Sequence, residues 1–265
     1  MACLSLENKS IYIIREAYWR YRDKLAILWS CGKDSTTMIH LARKAFFGEI
    51  PMPVVHIDTE FKFKEIYRFR DKYIKRLNIK LIIAKNEDAL RRGVSPAMGR
   101  FDCCIALKTE ALKQVISRYG FRALLVGIRR DEHSIRAKER YFSPRDLDFK
   151  WDYWNQPIEL WEQFYQAKDE DGFHVRIHPL LDWREIDVWR YIKEERMPVA
   201  SLYFANNRKR YRSIGCACCC QPIESSADTI NKIIEEIESP AASERSGRLQ
   251  DKEHMMQKLR SLGYM

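Results

Sequence analysis

The chain has 265 residues, of which 46% are hydrophobic and 32% are charged, proportions typical of a globular protein with its own core. No apolar run is long enough to cross a bilayer and the N-terminus lacks a signal-peptide pattern, so we expect a cytoplasmic protein without a membrane segment. The net charge of +10 favours polyanionic partners, nucleotides first and nucleic acid second, although a merely basic surface fits the charge equally well.

The hydrophobic pattern predicts alternating strands and helices. Short apolar runs predict buried strands at 25–29, 54–57, 81–84 and 123–126, and amphipathic segments predict helices near 36–47, 64–77 and 109–119. This order predicts an α/β fold with a doubly wound, mostly parallel sheet. Two further helices are predicted at 183–194 and 226–237, the second capped by Ser225 or Ser226. We predict one α/β domain over 1–200, with a helical and irregular C-terminal extension over 201–265 packed on it.

A short polar loop separates the first predicted strand from the first predicted helix. Such a loop directs backbone N–H groups and the positive end of a helix at a phosphate, and its hydroxyl and lysine side chains add donors. It is not a Walker A loop, because the first glycine and its spacing are missing. An ordinary strand-to-helix turn is the alternative. The predicted phosphate-binding residues are Ser30, Cys31, Gly32, Lys33, Asp34, Ser35 and Thr36.

This loop closely resembles the Ser-Gly-Gly-x-Asp-Ser pyrophosphate loop of the N-type ATP pyrophosphatases, with Cys31 in place of a glycine. Those enzymes cleave ATP between its α and β phosphates and adenylate a substrate. The resemblance implies an adenine nucleotide α-hydrolase-like fold, ATP as substrate and Mg²⁺ bridging the phosphates. It also implies catalytic roles for Lys33 and Asp34.

Two segments that follow later strands extend the resemblance. Asp58 and Thr59 stand where the family recognises adenosine, although a buried capping aspartate is a fair alternative for Asp58. The segment 127–140 resembles the Gly-x-Arg-Arg-Asp-Glu…Ser-Arg-Ala segment of the small, catalytic subunit of bacterial sulfate adenylyltransferase. Guanidinium groups there suit a triphosphate and the charge on departing pyrophosphate. The residues predicted from this segment are Gly127 for nucleotide binding and Arg129, Arg130 and Arg136 for catalysis.

The resemblance extends into the C-terminal region, where 243–248 match the Ser-Glu-Arg-x-Gly-Arg tail of the same subunit. The chain is thus identified as a member of the phosphoadenylylsulfate-reductase superfamily, similar along its length to the sulfate adenylyltransferase small subunit. It departs from that subunit in being shorter between Tyr203 and the turn before Cys216, and in carrying additional cysteines.

The eight cysteines favour metal binding or redox chemistry in a reducing compartment. Cys103 and Cys104, together with Cys216 and Cys219, resemble the ligand set by which assimilatory adenylylsulfate reductases hold a [4Fe–4S] cluster. Structural zinc is an alternative, although adjacent ligands are awkward for a small tetrahedral ion. Reduced cysteines without a metal are the third interpretation.

The reductases also use a nucleophilic cysteine near the C-terminus, and no cysteine follows Cys220. The remaining features resemble the ATP-pyrophosphatase component of the Dnd and Ssp DNA phosphorothioation systems. That resemblance implies adenylation of a DNA backbone phosphate, with DNA, a cysteine desulfurase and other sulfur-modification proteins as partners, and Cys218 or Cys220 relaying sulfur. A homodimer is one expectation for its assembly.

Two other functions stay open at the level of sequence. The first is a sulfate adenylyltransferase subunit that makes adenylyl sulfate with a GTPase partner. The second is a non-catalytic iron–sulfur or scaffold subunit of a DNA-modifying complex, in which Cys31 has spoiled the phosphate loop.

Overall fold

A computed structural model describes residues 2–134, 136–154, 156, 158–159, 174–239, 244–245 and 247–249. Its centre is a six-stranded sheet with the order β3-β2-β1-β4-β6-β5. All neighbouring strands are parallel except β5, which pairs antiparallel with β6. The six strands are β1 (Leu25–Leu28), β2 (Val54–Ile57), β3 (Leu81–Ala84), β4 (Ala123–Val126), β5 (Phe142–Arg145) and β6 (His174–Ile177). The predicted mostly parallel sheet is confirmed.

Three of the four strands predicted to be buried are buried; β3 is not, because it lies at an edge of the sheet, where its Ile83 is 47% exposed. β1, β2 and β4 are buried along their whole length, as continuous apolar runs covered on both faces should be. β5 and β6 escaped prediction because they carry polar residues and a proline. Pro144 lies on β5, the strand at the other edge of the sheet, where a missing backbone donor is tolerated.

The helices connect the strands and cover the sheet. Crossovers between parallel strands are right-handed, and with the observed strand order this rule assigns α2 and α3 to one face of the sheet and α6, which follows β3, to the other. The long first helix, α1, was not predicted, and it packs against α2 and the neighbouring strands. The helices are α1 (Ala2–Tyr21), α2 (Lys33–Ala45), α3 (Lys64–Leu77), α4 (Glu87–Arg91), α5 (Arg100–Cys104), α6 (Glu110–Tyr119), α7 (Glu185–Glu194) and α8 (Ile230–Glu238).

The start of α8 corrects one prediction. Thr229, and not Ser225 or Ser226, is the N-cap, and its hydroxyl accepts a hydrogen bond from the Lys232 N–H at 3.4 Å. Ser225 instead donates its hydroxyl to Glu236 and accepts from the Ala227 N–H, so its side chain serves the preceding turn. Helix α8 begins after this turn, which connects it to β8 (Ile223–Glu224). β8 forms a short antiparallel pair with β7 (Lys209–Arg210).

The sheet order fixes where a ligand can bind. β1 leads to β2 on one side and pairs with β4 on the other, so the chain reverses its direction of winding between β1 and β4. Loops that leave such a switch point diverge and open a crevice at the carboxyl ends of the strands. Within the described part of the chain, no helix is both long and apolar enough to span a bilayer.

Candidate nucleotide-binding site

A cavity of about 170 Å³ lies at the carboxyl ends of β1, β2 and β4. One part of its wall is the polar loop before α2, which faces Gly127 at the end of β4. A second part is an apolar floor formed by strand ends, and a third part is cationic. The floor consists of Leu28, Trp29, Val55, Ile57, Val126 and Ile128, and the cationic side chains are Lys33, Lys62, Lys108, Arg136, Arg245 and Arg248.

The polar loop has the conformation expected of a phosphate-binding turn. Ser30 and Ser35 place their hydroxyls 3.0 Å apart at the cavity wall. The backbone N–H of Lys33 donates to the Tyr203 hydroxyl at 2.8 Å, which ties the first turn of α2 to the segment beyond residue 200. The first turn of α2, which carries the positive end of the helix dipole, therefore lies at the cavity wall, with its Lys33 N–H bound to Tyr203.

Gly127 and Thr36 support this loop in different ways. A Cβ on Gly127 would lie 3.0 Å from the Ser35 backbone nitrogen, so only glycine allows β4 to approach the loop this closely. The Thr36 hydroxyl accepts a hydrogen bond from the Trp29 indole at 3.1 Å and does not line the cavity. Of the predicted phosphate-binding side chains, the structure therefore brings Ser30, Lys33, Asp34 and Ser35 to the cavity, and it uses Thr36 to fix the floor.

Cys31 occupies the glycine position of the loop with its side chain turned away from the cavity. Its φ of +65° lies in the left-handed region, which a residue with a Cβ enters at a cost. Its Sγ is buried 3.6 Å from the His56 Nδ1, and burial raises the pKa of the Cys31 thiol to about 12. The sulfur is thus a neutral core atom, and it leaves the phosphate loop open.

A buried ionic network lies behind the loop. Arg129 is fully buried and forms ion pairs with Asp34, with Asp131 at 3.0 Å and with Glu244. Lys33, only 1% exposed, pairs with Glu244 and with Asp34 at 3.3 Å. Burial alone would raise the pKa of Glu244, but Arg129 and Lys33 hold it well below its ordinary value. Arg129 therefore contacts carboxylates, and it does not line the cavity.

Glu244 is a site residue that sequence reasoning did not single out. The only signal for it was the resemblance of 243–248 to a family tail, of which Ser243 and Ser246 lie outside the described residues. The tail docks through its backbone, since the Gln221 N–H donates to the Gly247 carbonyl at 2.9 Å. A Cβ on Gly247 would lie 2.6 Å from the Gln221 carbonyl oxygen, so glycine permits this contact.

The other two predicted arginines lie in different places. Arg130 turns away from the cavity and forms an ion pair with Asp182. Arg136 lines the cavity and pairs with Glu132, which also pairs with Arg245 at 2.8 Å. The structure thus brings Arg136 to the site, while a direct phosphate contact by Arg129 or Arg130 stays a prediction.

Asp58 and Thr59 follow β2 but do not line the cavity in this structure. Asp58 accepts hydrogen bonds from the Tyr67 hydroxyl at 2.7 Å and from the Glu60 N–H at 2.9 Å, which is the capping arrangement that the sequence left open. The Thr59 hydroxyl lies 3.2 Å from the Cys216 Sγ. Contact of these two residues with adenosine stays a prediction.

The structure brings the two cysteine pairs into one region. Cys103 and Cys104 end α5, and Cys216 and Cys219 lie in the turn before β8, with all four buried. Burial, with the neighbouring Cys104 and Cys216, raises the pKa of Cys103 to about 12. Thiols are the donors that an iron–sulfur cluster needs, so the chemistry fits. Nevertheless, no three His, Cys, Asp or Glu side chains among the described residues converge as metal ligands. The cluster therefore stays a prediction.

Cys216 differs from its neighbours because it lines the cavity beside the cations. Burial alone would raise its pKa, but Lys108, the Thr59 hydroxyl, Lys62 and Arg248 together lower it below the ordinary value. Cys220 is buried, and its sulfur accepts from the Gly215 N–H at 3.1 Å. Cys218 is the exposed member of the group.

A polar loop at the switch point of a doubly wound sheet is typical of the adenine nucleotide α-hydrolase-like fold. Solved structures with this fold include a phosphoadenylyl-sulfate reductase from Candida auris, with a TM-score of 0.56 at 18% identity over 81% of this chain and 90% of that one. An FMN adenylyltransferase from Candida glabrata in complex with ATP gives a TM-score of 0.60 at 16% identity, covering 99% and 83% of the two chains. These likenesses confirm the predicted fold.

The chain belongs to the phosphoadenosine phosphosulfate reductase domain family, which matches residues 24–222. Sulfate adenylyltransferase subunit 2 of Pseudomonas aeruginosa is 40% identical over 281 residues, covering 93% of this chain and 92% of the relative. The protein of the same name from Saccharophagus degradans is 39% identical, with 98% and 96% covered. The family prediction is confirmed, and the chain is an adenylyl-transferring enzyme.

Proposed function

We propose that this chain is an ATP α/β-pyrophosphatase that adenylates sulfate. In this reaction a sulfate oxygen bonds to the α phosphorus of ATP, the bond between that phosphorus and the bridging oxygen breaks, and pyrophosphate leaves. The observation that carries the proposal is a phosphate loop, an apolar floor and cations around a single cavity. The names of the relatives support sulfate as the acceptor.

The apolar floor, the polar loop and the cations of the cavity suit the adenine, the phosphates and the departing pyrophosphate, respectively. The apolar floor between Leu28 and Ile128 can bury an adenine face, and the loop hydroxyls and N–H groups can hold the phosphates. Arg136 and Arg245, both fixed by Glu132, lie where they can stabilise charge on departing pyrophosphate. Mg²⁺ would offset phosphate charge when bound; Asp34 lines the cavity, but both of its carboxylate oxygens already pair with Lys33 and Arg129.

The names of the relatives also bear on assembly. Proteins called subunit 2 work with at least one other subunit. We propose that this chain likewise binds a partner subunit, and the GTPase suggested by the sequence resemblance is the candidate. Co-purification with the product of a neighbouring gene tests this part separately from the chemistry.

Pyrophosphate release tests the proposed reaction. Purified chain with ATP, Mg²⁺ and sulfate should release pyrophosphate and form adenylyl sulfate, and Ser35→Ala should slow release by about tenfold or more, because it removes a phosphate donor. Ser239→Ala is the matched control, since that serine is exposed at the end of α8. Release of orthophosphate and ADP would contradict cleavage between the α and β phosphates.

A second candidate is adenylation of a DNA backbone phosphate for sulfur insertion, the function that the sequence resemblance implied. The cysteines favour it, because adenylation of sulfate gives no role to two buried cysteine pairs, of which Cys216 lines the cavity. Here the terminal sulfur of a desulfurase persulfide would bond to the DNA phosphorus as the adenylated oxygen leaves with AMP. A thiol would then attack the remaining S–S bond, which leaves sulfur on phosphorus and forms a disulfide. We include a [4Fe–4S] cluster on Cys103, Cys104, Cys216 and Cys219 in this candidate.

Two measurements separate the candidates. Stimulation of pyrophosphate release by duplex DNA with desulfurase, and not by sulfate, would favour the second. Anaerobically prepared protein should then be brown with about four irons per chain, and Cys216→Ser should bleach it. Cys218→Ser is the matched control, because that exposed residue is outside the proposed ligand set. Complete absence of turnover with either acceptor would support the scaffold subunit.

A further inference from the structure

We infer that the wall formed by Lys62, Lys108 and Arg248 is a second anion subsite, which binds the oxyanion that attacks ATP. These three side chains line the same cavity as the phosphate loop but belong to other segments. The inference rests on the proposed function and locates its acceptor. The ligand is a tetrahedral oxyanion, a chemistry shared by sulfate and by a phosphodiester.

Lys62 is held at this wall by its backbone. It forms an isolated antiparallel bridge with Cys216, and the Ala217 N–H donates to the Phe61 carbonyl at 2.8 Å. Its side chain lines the cavity, and burial lowers its pKa, a shift that the nearby thiols of Cys31 and Cys216 oppose and the like-charged Lys108 reinforces. Within the described part of the chain, the Lys62 ammonium forms no ion pair or hydrogen bond with another residue. An anion would supply the missing partner.

Arg248 brings a second cation from the C-terminal segment. Its guanidinium lies against Gly215, where an added Cβ would be 1.8 Å from Nη1. It donates to the Ser213 hydroxyl at 3.0 Å, to the Ile214 carbonyl at 2.7 Å and to the Cys220 sulfur at 3.2 Å. None of these three acceptors is a carboxylate. They fix the guanidinium in place while leaving its charge available.

The pairing of cations with carboxylates distinguishes this wall from the nucleotide loop. Among the residues that the structure describes, six cationic and two carboxylate side chains line the cavity. Both carboxylates are already engaged, since Asp34 pairs with Lys33 and Arg129, and Glu132 pairs with Arg136 and Arg245. Neither of them pairs with the wall of Lys62 and Arg248. Clustered cations repel one another, so a bound divalent or diester oxyanion would stabilise this wall.

Titration of sulfate into the chain saturated with α,β-methylene ATP and Mg²⁺ tests the subsite without any turnover. Lys62→Gln should weaken sulfate binding by about tenfold or more, the loss expected for a charge-assisted hydrogen bond. Affinity for the nucleotide analogue should fall less than affinity for sulfate, because Lys62 lines the same cavity but is not part of the phosphate loop. Lys64→Gln is the matched control, since that lysine is exposed two residues away. Gly215→Ala, which displaces the Arg248 guanidinium, should also weaken sulfate binding.

A parallel titration with a short DNA duplex distinguishes the two sources of the oxyanion. Dependence on Lys62 for sulfate alone identifies a small acceptor, and dependence for the duplex identifies a backbone phosphate. Unchanged affinity for both in Lys62→Gln, or an equal loss of nucleotide affinity, would overturn the subsite, as would absence of binding by the unsubstituted chain. Binding that depends on Lys62 without pyrophosphate release would keep the subsite and reject the proposed function.

Discussion

Replacing Glu244 with glutamine preserves the shape of the side chain and removes the charge at the centre of the buried network. In the structure this carboxylate pairs with Lys33 and Arg129, which are 1% and 0% exposed. Removing one partner of a buried ion pair typically costs about 3–5 kcal/mol. Lys33 keeps Asp34, and Arg129 keeps Asp34 and Asp131, so we expect the lower end, about 3 kcal/mol.

Urea unfolding at neutral pH without nucleotide measures this loss. With a slope of about 3 kcal/mol per molar, suited to a chain of this size, the midpoint should fall by about 1 M. Glu238→Gln is the matched control, because Glu238 pairs with Arg190 at 2.7 Å while both side chains are about half exposed. Such surface pairs contribute about 0–1 kcal/mol.

Lowering the pH should reduce the stability difference between the natural chain and Glu244→Gln. The pKa of Glu244 is lowered in the folded chain, so its stabilisation is fully present above the unfolded glutamate pKa of about 4.3 and is lost as the pH falls below that value. The difference between the natural chain and Glu244→Gln should therefore shrink below about pH 4.3. If Glu244→Gln is no less stable than Glu238→Gln at neutral pH, the carboxylate is not bound between the two cations and the docked tail is refuted.

Three further predictions concern the loop and its arginines. Gly127→Ala should weaken ATP binding by about tenfold and lower stability by about 1–3 kcal/mol, because its Cβ would press on the Ser35 backbone; unchanged calorimetric affinity would contradict this. Cys31→Gly should be more stable in urea than Cys31→Ala, the reverse of the usual order, because φ is +65° and glycine relieves about 1–2 kcal/mol of strain. Arg136→Ala should raise the KM for ATP by about tenfold, whereas Arg130→Ala should change it by less than about twofold, since only Arg136 lines the cavity; equal effects in steady-state kinetics would argue against this cavity as the phosphate site.

The sequence was sufficient to predict the local structure of a segment wherever one physical requirement dominated that segment. Strands buried on both faces must be apolar, as β1, β2 and β4 are, and the partly buried β3 is apolar as well. Three of the four predicted strands have the observed bounds, and the first is one residue shorter than predicted. The amphipathic pattern of α3 likewise gives its limits. The loop before α2 is a local feature, because backbone N–H groups at a helix start need only the right turn, and it too could be read from the chain.

Only the tertiary structure decided which charged residues share an environment. Arg129, Arg130 and Arg136 lie within eight positions of one another, yet the first is buried among carboxylates, the second faces Asp182 and the third lines the cavity. Glu244 reaches Lys33 from more than two hundred residues away. Local sequence sets the charge and the reach of a side chain. Its direction and its partners depend on long-range packing, which hydrophobic periodicity does not encode.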